Sequence, residues 1–174
     1  MNSLFPLVYS TALFCFLALI SFLLIKQIIN TQSLEKKMFE LKRTIKKDNY
    51  LYESYYKLGQ LYFRKKFFSK AILLFREAIR NWDLNDNIGL GSLYNTIGFT
   101  YFTLKEYKLA VYYYKIAIRI LPDYANALVN LGYAYEKQNL LLKSYNFYNE
   151  ALLHDVHNSL ALKRIIIVKR LLAI

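Results

Sequence analysis

The stretch GSLYNTIGFTYFTLKEYKLAVYYYKIAIRILPDY, residues 91–124, sets Gly98 in a frame of large and small residues. Tyr94, Ile97 and Tyr101 surround it, and Ala110, Tyr114, Ala117 and Pro122 follow. The same offsets recur around Gly59, with Tyr55, Leu58, Tyr62, Ala71, Phe75 and Ala78. They recur again around Gly132, with Leu128, Leu131, Tyr135, Ser144, Tyr148 and Ala151. Such a frame is a packing device. The glycine lets two helices approach closely, the other small residues do the same one helix later, and the large residues fill the gaps. Gly98 and Gly132 stand 34 residues apart, Gly59 and Gly98 39. The five extra residues fall in the polar stretch Asp83–Gly91, which reads as a loop between repeats.

The 34-residue frame resembles the tetratricopeptide (TPR) pattern, a helix–turn–helix unit. First helices are expected over 51–65, 91–104 and 125–138, and second helices over 68–81, 107–120 and 141–154. A last helix, Ser159 to Leu172, is expected to start at Asn158 or Ser159, whose side chains accept free amide hydrogens. Lys163, Arg164, Lys169 and Arg170 fall on more than one side of it, so it is expected to cap the apolar end of the stack, not to lie on a membrane.

From Asn2 to Ile25 no residue is charged, and Leu, Ile, Phe and Val take 14 of the 24 positions. As helix this spans about 36 Å, against about 30 Å of bilayer hydrocarbon. No basic residue precedes the run and no small-x-small site follows it, so it reads as an uncleaved transmembrane anchor. The basic flank, Lys26, Lys36, Lys37, Lys42, Arg43, Lys46 and Lys47, should stay on the side of synthesis, which places the repeats in cytoplasm or plastid stroma. The single cysteine, Cys15, lies within the span and can make no intramolecular disulfide.

The expected fold is therefore all-α: an N-terminal transmembrane helix, an α-solenoid of three TPR helical hairpins and a C-terminal capping helix. Its parts are an anchor over 1–29, with lipid contact through residues 3–29, a basic helical linker over 30–49 and a TPR domain over 50–174. The repeats cover about 52–85, 91–124 and 125–158, and the cap 159–172. In the linker, Leu34, Met38, Leu41 and Ile45 form one helical stripe.

The net charge is +12. No recognition helix, zinc knuckle or RNA-binding glycine loop accompanies it, so it reads as a determinant of orientation and lipid proximity, without a nucleic-acid partner. His154 and His157 lack further ligands for a metal. Asp83, Asn85 and Asn87 have Ile88 and Tyr94 where a calcium loop needs glycine and glutamate. There is no phosphate-binding loop, dinucleotide motif or nucleophile elbow. We expect no catalytic residues, no cofactor, no metal and no small-molecule substrate.

What remains is a protein-binding surface. In this fold the groove is lined by first-helix residues outside the packing frame. These are Glu53, Tyr56, Gln60, Phe63 and Arg64; then Ser92, Asn95, Phe99, Phe102 and Thr103; then Asn126, Val129, Tyr133, Glu136 and Lys137. Tyr56, Phe63, Phe99, Phe102 and Tyr133 would form an aromatic floor suited to anchoring a partner. TPR co-chaperones that hold the carboxylate tail of heat-shock chaperones use Lys, Asn and Arg at fixed places. Here the matching places hold Tyr56, Gln60, Thr96, Asn126 and Asn130, so the basic clamp is missing.

One anchor, a basic linker and three repeats, with NWDLNDNIGLGSLYNTIGFTYF at 81–102, resemble the plastid-encoded TPR proteins of red algae and relatives. They are also similar to cyanobacterial TPR proteins of photosystem I assembly. The resemblance implies a thylakoid protein with stromal repeats that assists assembly or stability of photosystem I, binding subunits or assembly factors. The alternative with the same architecture is a membrane-bound receptor for precursor or client proteins.

Overall fold

Small residues at 59, 71 and 78, and at the matching places of the next two repeats, set how the helices pair. In the computed structural model, which describes residues 4–48 and 51–172, the described residues form eight helices and no strand. The expected first residues of the anchor, 1–3, the linker's last residue Asn49, and Tyr50 lie outside the described residues. The chain divides at Thr44/Ile45 into two compact units.

The first unit is carried by α1 (Leu4–Lys47), 44 residues without a break at the expected anchor–linker boundary, about 66 Å of helix. Its apolar side chains from Leu7 to Ile29 stand exposed, Phe14 and Phe22 among them, whereas in the linker stripe Met38 is buried and Leu34, Leu41 and Ile45 are half-buried. Among the described residues it is the one helix long and apolar enough to cross a membrane.

The second unit is a stack of helical hairpins: α2 (Tyr52–Arg64) with α3 (Phe68–Arg80), α4 (Asn87–Thr103) with α5 (Tyr107–Ile120), and α6 (Ala125–Lys137) with α7 (Leu141–His154). The last helix, α8 (Ser159–Leu172), packs on α7 and α6 and caps the stack. Asn158 starts it, its Oδ1 accepting from the Ala161 N–H at 3.1 Å. Phe75, Tyr114 and Tyr148 are fully buried, each laid over its repeat's glycine. A Cβ at Gly98 would meet the Tyr114 ring at 2.6 Å, which is why that place takes no side chain.

The polar stretch Asp83–Gly91 is only half loop. α4 begins at Asn87, four residues before the expected start, because Asp86 caps it: its Oδ1 accepts from the Gly89 N–H at 2.8 Å. Trp82 Nε1 donates to the other carboxylate oxygen at 3.3 Å. Part of the insertion thus adds a first turn to α4, and Gly91 is buried inside that helix.

Each hairpin turn closes through one left-handed residue: Lys66, Lys105 and Asn139, at φ 63°, 64° and 59°. The residue after each donates back five positions, as Glu106 N does to the Tyr101 carbonyl at 2.9 Å. This is a helix-ending motif that glycine satisfies best. Lys105 is exposed, so Lys105→Gly should stabilise the protein by about 1 kcal/mol. A denaturant midpoint that stays put or falls would contradict this.

Candidate functional site

The first helices of the hairpins, α2, α4 and α6, share one side, and the side chains there touch from repeat to repeat. Tyr56 and Thr96 meet hydroxyl to hydroxyl at 3.3 Å. Phe63 packs on Phe99 with ring centroids 5.7 Å apart. Asn130 Nδ2 donates to Asn95 Oδ1 at 2.9 Å. Phe102 lies against Tyr133 at 5.0 Å. Gln60, Phe63, Arg64 and Thr96 enclose a depression of about 250 Å³ between α2 and α4.

Eleven of the fifteen predicted lining residues fall into three groups. Gln60, Arg64, Phe99, Asn126 and Lys137 are exposed. Phe63, Phe102 and Tyr133 are half-buried, each with its ring against a neighbouring repeat, and Asn95 is half-buried in its hydrogen bond to Asn130. The aromatic floor is therefore two contiguous pairs, Phe63–Phe99 and Phe102–Tyr133. Tyr56 is drawn out of it: its ring packs on Phe75 and edge-on to Trp82, at 5.9 and 5.7 Å. Val129 corrects the expectation outright. It is 2% exposed, in a cluster with Ala161 and Val168 of α8, so the cap removes it from the groove.

Glu136 was expected on the groove wall and is instead a fastener. Its Oε2 accepts from the Tyr148 hydroxyl at 2.9 Å and from Arg164 Nε at 3.0 Å, and its Oε1 pairs with the same guanidinium. Arg164 also lies 4.9 Å from the centre of the Tyr133 ring, and Lys137 Nζ 5.2 Å from it. The end of the aromatic floor is thus held under two cations.

A fourth row of the groove escaped the sequence reading. Adding 34 to Asn126, Val129, Tyr133 and Lys137 gives Leu160, Lys163, Ile167 and Leu171, all exposed on α8. The signal was Ala161 and Val168, one repeat on from Ala127 and Ala134; all four are fully buried. Ile166 and Lys169, standing where the frame has glycine and tyrosine, hid it.

The site carries polar, aromatic and basic contacts, with no nucleophile set against a base. His154 and His157 are exposed at the end of α7. Among the described residues no three of His, Cys, Asp and Glu come together to hold a metal.

The tetratricopeptide repeat profile matches residues 52–81 and 91–124. Over 161 residues, covering 92% of this chain and 90% of its relative, the sequence is 36% identical to a Guillardia theta protein named ycf37. It is 29% identical over 144 residues to the chloroplastic tetratricopeptide repeat domain-containing protein PYG7 of Arabidopsis thaliana, covering 83% of this chain and 48% of that protein. The crystal structure of MamA aligns with a TM-score of 0.72 at 20% identity, covering 81% of this chain and 80% of that one. The first TPR of Spaghetti (RPAP3), solved with the HSP90 peptide SRMEEVD, aligns with a TM-score of 0.63 at 20% identity, covering 71% and 94%. These likenesses describe a tetratricopeptide scaffold for protein interaction, with relatives of plastid type.

Proposed function

Because the chain belongs to the ycf37 family of tetratricopeptide-repeat proteins, we propose that it is a plastid membrane scaffold that assists the assembly or stability of photosystem I at the thylakoid. In this reading residues 3–29 sit in lipid, the domain limits are those expected from the sequence save that the second repeat starts at Asn87, and the repeats face the stroma. The groove on α2, α4 and α6 holds an exposed segment of a photosystem subunit or of another assembly factor. The observation that carries the proposal is the joining, in one chain, of a 44-residue helix with an apolar half and a stack whose exposed face has contact chemistry and no catalytic set.

The mechanism is tethering. An anchored groove searches a plane instead of a volume, which raises its effective concentration beside a membrane-embedded client by factors on the order of 10². The lysines and arginine after Ile25 favour the stromal side for the repeats.

Photo-crosslinkers at Phe99 and Tyr133 in native membranes should trap one complex and identify its subunit. Removing residues 1–29 should lower client recovery at least about tenfold while the repeats stay folded. Equal recovery without the anchor would end the tethering mechanism. Recovery of many precursors would favour the receptor reading over an assembly role.

A further inference from the structure

The outer face of the cap is apolar, and the three hairpins show what belongs on it. A terminal repeat normally turns a polar side to water. On α8, Leu160, Leu162, Ile166, Ile167 and Leu171 are between 41% and 60% exposed. Leu160, Ile167 and Leu171 continue the groove. Leu162 and Ile166 do not: they lie one repeat on from Leu128 and Gly132, the face of a first helix on which its own second helix packs. In α2, α4 and α6 that face is covered by α3, α5 and α7. In α8 no described helix covers it.

We propose that a partner polypeptide covers this face: an amphipathic helix with acidic flanks that docks on Leu162 and Ile166 of α8.

Charge selects the class of partner. Residues 159–172 contain no Asp or Glu. Lys163 and Arg170 on one side of Ile166, and Lys169 on the other, are exposed and have no acidic partner among the described residues. A second copy of α8 would bring only like charges against these three, which is unfavourable. A helix with Asp or Glu along both edges of its apolar stripe meets them with opposite sign.

Shape sets a further requirement. Phe75, Tyr114 and Tyr148 each lay a ring over a glycine. Where that glycine would stand, α8 has Ile166. Knob and hole are exchanged, so the docking helix must present Gly, Ala or Ser at the crossing, with larger apolar residues one turn away toward Leu162.

This surface is separate from the groove, and its test is separable too. The full chain, in native membranes, carries a photo-reactive phenylalanine analogue at position 166 or at position 99. At 166 we expect an adduct to a helical segment of another protein, with a small residue at the crosslinked position and carboxylates on both edges. Combined Lys169→Glu and Arg170→Glu, which spares Lys163 because it borders the groove, should reduce that adduct at least about tenfold and leave the adduct at 99 unchanged. Amide exchange of α8 in the purified full chain should not change, which reports that the cap is still folded in the variant. An adduct to lipid, to a second copy, to a segment without acidic residues, or no adduct at 166 overturns the proposal. Loss at 99 alone would count against the groove reading and not against this one.

Discussion

Tyr114→Ala should destabilise the hairpin stack by about 3–5 kcal/mol, lowering the thermal midpoint by roughly 10–20 °C. The ring is 1% exposed and lies on Gly98. Its removal opens a cavity between α4 and α5 that their backbones cannot close. Burial pushes its hydroxyl pKa upward, further from ionisation than an exposed tyrosine. Tyr112→Ala, two positions away and 56% exposed, is the control and should change stability by less than about 1 kcal/mol. Repeat stacks are stabilised by nearest-neighbour contacts. Loss at the middle hairpin should therefore separate the unfolding of the two ends. Trp82, in the same buried cluster as Tyr114 and Phe75, reports the α2–α4 side by fluorescence, and circular dichroism reports the whole. An alanine variant within about 1 kcal/mol of the parent would mean that glycine–aromatic contacts do not hold the hairpins together.

The parts of this fold that were legible are those written in side-chain size. Gly59, Gly98 and Gly132 with their rings located three hairpins, and the uncharged run to Ile25 located the apolar part of α1. The parts that were hidden depend on hydrogen-bond geometry or on distant segments. Asp86 is one acid among several polar residues, and only its bond to the Gly89 N–H makes it the start of α4. Lys66 and Lys105 carry no sign of the left-handed turns they occupy. Val129 and Glu136 stand in groove register, yet α8 removes both from free contact: Val129 by packing and Glu136 through Arg164, 28 residues later. A lining set drawn by register alone therefore overstates the groove at α6 and misses its continuation on α8.

The Glu136–Arg164 pair is where stability and the candidate site meet, and breaking it should have the next largest effect. The two side chains are 11% and 21% exposed, and the carboxylate also accepts from the Tyr148 hydroxyl. Arg164→Ala leaves that carboxylate short of its cation in a half-dry setting. The expected cost is about 2–4 kcal/mol, below the full figure for a buried charge because water still reaches the guanidinium. Glu136→Leu combined with Arg164→Met should cost clearly less than the sum of the single changes, since no unpaired charge remains. The loss should concentrate in α8. Amide exchange there should speed up while α2 and α3 stay protected, and Val129 and Leu128 should become accessible as the cap loosens. Tyr133 would lose one of the two cations lying over its ring, so a crosslinker at that position should trap its client less well than one at Phe99. If the double-mutant cycle gives no coupling, the pair is an incidental contact. The cap would then be held by the apolar contacts of Ala161, Ile165, Val168 and Leu172.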